Sequence, residues 1–501
     1  MLDPRLTRLV VAASALAWLS GCTSDPEVLP PVGNHQLFID TDAVVPVALN
    51  SGEVLDGPAL FDRLEVAIFD AEDVRDGTND APLCDSCFRE FSVDRGSFAD
   101  GGASLAIVPE TGETPLVRVR LFRGASRLDG ELQTESVIEV VAELPVTPAE
   151  GTVETTVFLP TDAVGVPQGA FATPLRVGES DLVTAGAPTA SQVGTWSFGD
   201  RRGCTAETPG DDAFCIDGGP YWMGNPLVQG ADFAESDQQR LVVLRPFFLD
   251  RGEVTVGDFR AWVEQAGVTD VGDFSFVDDE RDPNFFCTYT AEPGAADDLP
   301  VNCVPHPLAS AYCEARGGAL PTEAQFEYAS GDLRSALFVW GADELPVCAG
   351  AVFGRSRQEG TVVENLGSAT CLPEGSGPQA LLSETLASTR ATDRMATASG
   401  EFIFDLAGNL QEWTYDYFEP QDGSCWAVGD SNVFNEYSLD GADGWARVAC
   451  EQPNNSPGHT VRGGSWTQDR AFLRAAYRSN EDIVAPVDFQ VGFRCAYPDA
   501  G

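Results

Sequence analysis

The chain has 501 residues, with 78 acidic against 30 basic side chains and a formal net charge of −48. A surface this negative repels a phosphate backbone, which excludes nucleic acid as a partner and fits a solvated, self-repelling exported protein. Every basic residue is arginine, so lysine Schiff-base chemistry and the phosphate-binding lysine of a P-loop are excluded as well.

In chain order, Arg5 and Arg8 precede an apolar run from Leu9 to Leu19, which ends in Leu19-Ser20-Gly21-Cys22. The run is about half as long as a spanning helix needs, so residues 1–21 read as an export signal. The last four residues resemble the lipobox of bacterial lipoproteins, with Cys22 the lipidated residue. At about 0.8 kcal/mol per buried CH₂, more than one acyl chain anchors a protein stably, and no other segment is long and apolar enough to cross a bilayer. Thr23 and Ser24 follow without an aspartate, a resemblance that implies the outer membrane, at its periplasmic face or the cell surface.

Residues 22–35 are rich in Pro, Asp and Ser and read as a tether. Residues 36–159 carry short strand-like runs, among them Leu64–Phe69, Leu116–Phe122 and Val153–Phe158, punctuated by Gly, Asp and Pro. Two of these alternate apolar and polar, as a sheet with one wet face should, and the expectation is a small all-β sandwich acting as spacer or adhesion module. Residues 160–194, rich in Gly, Ala, Pro and Thr, read as a linker.

Thirteen cysteines less Cys22 leave twelve, enough for up to six disulfides in an oxidising compartment. Proximity suggests Cys204 with Cys215, Cys287 with Cys303 and Cys425 with Cys450. Cys84-Asp85-Ser86-Cys87 has redox spacing but lies between strand-like runs, which favours a local loop staple.

From residue 195 to 501 aromatic residues and cysteines become frequent, and two helices can be read. Thr255 is placed to cap the first, with Val256, Phe259, Trp262 and Val263 on one face and Gly267 at its end. In the second, Thr322 and Gln325 form a capping box, and Glu323 lies in the first turn, where the helix dipole favours an anion.

An ordered set of motifs spans this region: Gly219–Gly224, Phe247–Thr255, Ala311-Tyr312-Cys313, Leu320–Glu323, Trp340-Gly341, Gly408-Asn409-Leu410-Gln411-Glu412-Trp413, Arg462-Gly463-Gly464-Ser465-Trp466 and Gly492-Phe493-Arg494-Cys495. Together they resemble the formylglycine-generating, sulfatase-modifying-factor family. The resemblance implies an irregular α+β fold related to C-type lectins, a Cys313–Cys495 disulfide, and loss of a second family bridge, since Ser330 stands at one of its positions. It also implies a structural calcium site formed by the Asp405 and Glu412 carboxylates and the Gly408 and Leu410 carbonyls, hard oxygen ligands of the kind calcium takes. The alternative is that Asp405 and Glu412 cap turns or pair with arginines.

The family's reaction uses two copper-bound cysteine thiolates, and the positions that fall on them here are Gln468 and Leu473. Neither side chain can supply a thiolate, so copper is not expected and no catalytic residue is assigned. Ser465 matches the serine beside the family's copper. Read alone, Gly463-Gly464-Ser465 is a tight turn before a core aromatic. A hydrolase would need His306 or His459 beside Ser465. With His35 these are the chain's only histidines, too few for a non-haem iron cluster. The expected role is therefore a membrane-anchored scaffold that binds an envelope protein, peptide or glycan. The competing reading is a protein-modifying oxidoreductase with a divergent site.

Overall fold

The structure is a computed structural model, and it describes residues 33–48, 60–70, 74, 82–84, 87–99, 101–128, 130–210, 212–225, 239–268, 287–341, 345–356, 370–371, 373, 377–380, 393–418, 433–435, 458–482 and 488–499. The export signal, Cys22 and the Cys425–Cys450 pair lie outside the described residues. The chain divides into two compact units, with the principal boundary between Gly199 and Asp200.

Among the described residues the first unit holds a two-stranded ribbon, Arg127–Leu128 with Glu131–Leu132, and two main sheets. One runs in the order Val183–Ala185, Thr152–Leu159, Asn34–Thr41, Ala103–Ile107, and the other in the order Leu175–Arg176, Val137–Glu143, Leu116–Phe122, Arg63–Phe69, Phe88–Ser92. They meet through Leu116–Phe122, Val137–Glu143 and Thr152–Leu159. Alternation in Leu116–Phe122 does what the pattern predicts. Val117, Val119 and Leu121 are fully buried, while Arg118 and Arg120 turn to the other face, where both reach Glu65 across the sheet.

Residues 160–194 are not a linker. Leu175–Arg176 pairs parallel with Ala142–Glu143, Val183–Ala185 pairs antiparallel with Val157–Thr155, and Val164 and Val183 are fully buried. Composition misled here because strands of two or three residues at a sheet edge need few apolar side chains. The unit also extends past residue 194: the Trp196 indole N–H donates to Asp162 at 2.9 Å, and its backbone N–H donates to the Asp42 carbonyl.

The second unit is α+β with small sheets and three helices among the described residues: α1 (Val256–Ala266), α2 (His306–Ala315) and α3 (Glu323–Ser330). Thr255 caps α1 by accepting from the Asp258 N–H, and Gly267 closes it at φ 61°, a left-handed conformation that glycine adopts without a Cβ penalty. The α3 capping box is complete, with Thr322 and Gln325 bonding reciprocally. Helix α2 carries no side-chain cap; its boundary signals are Pro307 in the first turn and Gly317, at φ 81°, just past the end.

Among the described residues this unit is filled by a small apolar cluster of Val352, Leu410 and Trp466 and by two large ones. Phe259, Tyr312, Trp413, Phe493 and the Cys313–Cys495 bridge form one; Tyr221, Phe326, Tyr328, Met395, Leu406 and Leu473 belong to the other. Gln411–Tyr417 lies within a four-stranded sheet, between Gly458–Arg462 and Val491–Gly492, and so ties three of the sequence motifs together.

Candidate functional site

The Arg462–Trp466 segment leaves the strand Gly458–Arg462 and turns sharply through Gly463 and Gly464, at φ 94° and 72°. A Cβ at Gly464 would lie 2.5 Å from the Phe472 carbonyl oxygen, so glycine is required by space as well as by conformation. The turn places Ser465 in full burial, with its hydroxyl donating to Gln490 Oε1 at 3.0 Å and lying 3.0 Å from Thr467 Oγ1. Thr467 also donates to Gln490. Ser465 is thus a satisfied core hydroxyl.

Gln468 accepts from the Ser465 N–H at 2.9 Å through Oε1, and its Nε2 faces the Tyr477 hydroxyl at 3.4 Å. Leu473 is buried and packs beside Gly408 and Gly464. One copper-thiolate position of the family is therefore a polar turn brace and the other is core hydrocarbon. These residues do not fit copper.

The histidines lie elsewhere. His306 and His459 stack on each other with ring centroids 3.4 Å apart, and neither bonds Ser465. His306 Nε2 faces the Thr414 carbonyl, and His459 Nδ1 faces the carbonyls of Tyr415 and Asp416. Burial pushes both imidazoles down, to about 3 for His306 and about 4 for His459, with His459 adding to the effect on His306. His35 belongs to the first unit, where it contacts Thr147.

Beneath the turn lies a buried ion network. Arg462 reaches Glu327 at 2.6 Å and Glu323 at 2.9 Å, and Arg478 grips both oxygens of Glu323 at 2.5 and 2.8 Å. Burial alone would raise the Glu323 carboxyl, but Arg478 and Arg462 outweigh it and hold it below the usual range. Asp416 sits beside Glu323, accepting its N–H at 2.6 Å. Burial, then the Glu323 charge, pushes its carboxyl up to about 7. Glu323 was legible only as a helix-start anion. Its tertiary partners carry no local sequence signal.

A second ion pair lies at the residues of the calcium expectation. Arg494 donates from Nε to Glu412 Oε2 at 2.7 Å and from Nη2 to Oε1 at 2.6 Å, and Nη2 also reaches the carbonyls of Phe404 and Asp405. Both side chains are fully buried. The Leu410 N–H and the Asn409 amide donate to Glu253, whose carboxyl is raised well above the usual range by burial and then by Asp405 and Glu412. The cation at Glu412 is therefore a guanidinium. The arginine pairing that the sequence left open for Glu412 is thus present, and buried Asp405 adds its charge to that of Glu412 on Glu253. Glu253 received no role from the sequence, although its Gly252-Glu253-Val254-Thr255 motif had been singled out.

Cys84–Cys87, Cys204–Cys215, Cys287–Cys303 and Cys313–Cys495 are all bonded, as is Cys348–Cys371, which was not foreseen. Every cysteine among the described residues is consequently in a disulfide. Ser330 donates back to the Phe326 carbonyl at 2.9 Å within α3.

A family model described as the sulfatase-modifying factor enzyme 1-like domain matches residues 202–498. The chain is 27% identical over 312 residues to a formylglycine-generating enzyme of Streptomyces coelicolor, covering 56% of this chain and 87% of that protein. It is also 27% identical over 261 residues to the mouse protein named inactive C-alpha-formylglycine-generating enzyme 2, covering 46% of this chain and 75% of that one. Among solved structures, PvdO from Pseudomonas aeruginosa aligns at 17% identity with a TM-score of 0.40, over 60% of this chain and 100% of PvdO.

Proposed function

Because the chain belongs to the sulfatase-modifying factor enzyme 1-like domain family, we propose that its C-terminal unit keeps that family's scaffold as a binding module of the cell envelope and has given up thiolate oxidation. The observation that carries this reading is Leu473, buried in the apolar cluster at a position the family resemblance assigns to a copper thiolate. A leucine there is neither nucleophile nor metal ligand. Gln468, held by the Ser465 N–H, supplies no thiolate either. Among the described residues every cysteine is in a disulfide, so none offers a thiol in their place. That one relative carries the name inactive is consistent with a family in which the scaffold outlives the reaction.

The rest of the proposal concerns place. Cys22 carries lipid and anchors the protein to the outer membrane, with the residues ahead of the strand Asn34–Thr41 as a tether shorter than residues 22–35, since Asn34 and His35 belong to the sheet, and the sandwich unit as spacer. A disulfide-stapled scaffold with variable loops then presents itself to an envelope protein, peptide or glycan. Fold alone does not name that partner.

The test has two arms. Copper-loaded protein incubated with a cysteine-containing sulfatase peptide should leave the peptide mass unchanged, and conversion to the aldehyde would overturn the binding-module reading. Cys22→Ser should abolish acyl labelling and membrane retention; retention without label would overturn the anchor.

A further inference from the structure

The second unit contains a cavity of about 340 Å³ where the strand Phe247–Asp250 gives way to α1. Its volume lies in the range of small-molecule sites. It shares no lining residue with the Ser465, Gln468 and Leu473 region.

The lining is unusual in which of its charges are spoken for. Asp250 is consumed internally, accepting from Arg316 at 2.8 Å, from the Cys495 N–H at 3.1 Å and from the Tyr497 hydroxyl at 3.1 Å. Glu253 is taken by Asn409 and Leu410. Arg251 differs. Its backbone is fixed on both sides, its N–H donating to the Asp212 carbonyl and its carbonyl accepting from the Phe404 N–H. Its guanidinium lies over the Phe404 ring at 5.3 Å and makes no hydrogen bond or ion pair among the described residues. Stacking holds such a group in place without using its in-plane donors. In a chain where carboxylates outnumber arginines 78 to 30, a guanidinium lining a cavity with its fork unused is poised for an anion from outside.

The mouth has the opposite sign. Asp212 and Asp258 are exposed lining residues. Asp258 uses one oxygen for the Thr255 hydroxyl at 2.7 Å and keeps its charge toward solvent. A simple anion would be repelled by these two carboxylates, and a simple cation by Arg251. A molecule carrying both charges close together satisfies all three.

We propose that this cavity binds a free α-amino acid: its carboxylate on Arg251, its ammonium toward Asp212 and Asp258, and its side chain in the remaining space of the cavity. The proposal goes beyond the binding-module reading and does not depend on the loss of copper chemistry.

The test is calorimetric titration of the purified protein with L-phenylalanine and L-leucine, alongside 2-phenylethylamine, which lacks the carboxylate, and 3-phenylpropionate, which lacks the ammonium. At least one amino acid should bind, and each phenyl analogue should bind at least about tenfold more weakly than phenylalanine, as expected when a charged hydrogen-bonding group is left unpaired. Arg251→Met keeps the stem over Phe404 and should abolish binding; Asp258→Asn should weaken it. Absence of binding by both amino acids, equal binding of 3-phenylpropionate, or unchanged affinity in Arg251→Met would each overturn the assignment. The analogue comparison uses unaltered protein, so it decides the matter even where a variant fails to fold.

Discussion

Arg494 and Glu412 form a bidentate ion pair with both side chains sealed from solvent, joining the Gly-Phe-Arg-Cys motif to the Gly-Asn-Leu-Gln-Glu-Trp motif. They stand 82 positions apart in sequence. Through the Phe404 and Asp405 carbonyls the same guanidinium also holds the segment that leads into the Gly-Asn-Leu-Gln-Glu-Trp motif.

Arg494→Met should therefore destabilise the protein by about 3–5 kcal/mol, since it leaves a buried carboxylate without its cation. Arg494→Met combined with Glu412→Gln should cost less than the sum of the two single changes, because the second removes the uncompensated charge. Urea denaturation measures both. Additive losses would show that the pair is not coupled.

Calcium should not matter to this region. With the guanidinium already on both oxygens of Glu412, melting temperatures in chelator and in excess calcium should coincide. A lower melting temperature in chelator that Glu412→Ala abolishes would restore the calcium reading.

Stability should respond to pH through two opposing groups. Asp416 has its folded pKa raised from 3.8 to about 7, so its native form holds a proton that the unfolded chain releases, and stability falls as pH rises from about 4 to 7. The loss amounts to at most about 4 kcal/mol. Asp416→Asn should remove it, stabilising the protein at pH 8 and leaving it little changed at pH 4. His306 and His459 act the other way: lowered from 6.5 to about 3 and about 4, they are neutral when folded, and stability falls as pH drops below about 6.5. Replacing His459 with Phe should flatten that acid limb. Denaturation midpoints across pH 4–8 test both, and unchanged slopes in both variants would remove these groups from the account.

Reducing the Cys313–Cys495 bridge, or replacing both cysteines with Ala, should cost about 2–5 kcal/mol, near the upper end because the bridge closes a separation of 182 residues. Thermal denaturation with and without reductant, with the double variant as control, measures it. Equal melting of the variant and the oxidised parent would mean the bridge contributes nothing to stability.

Much of this molecule was written locally. The capping box at Thr322, the cap at Thr255 and the stop at Gly267 are short-range devices, and each holds in the structure because the atoms involved lie within one helical turn. The ordered motifs were enough to name the family and the Cys313–Cys495 bridge, and the identities of Gln468 and Leu473 were enough to argue against thiolate chemistry. What stayed hidden depends on which distant groups meet. Glu412 could be a metal ligand or an ion-pair partner in the sequence, and only the tertiary structure brings Arg494 onto it. Glu323 looks like a surface anion at a helix start until Arg462 and Arg478 enclose it. Residues 160–194 carry a linker's composition, yet hydrogen bonds to strands already laid down make them sheet edges. Local hydrogen bonding is set by neighbours in the chain. The sign and burial of a charge are set by long-range packing, which one-dimensional patterns do not encode.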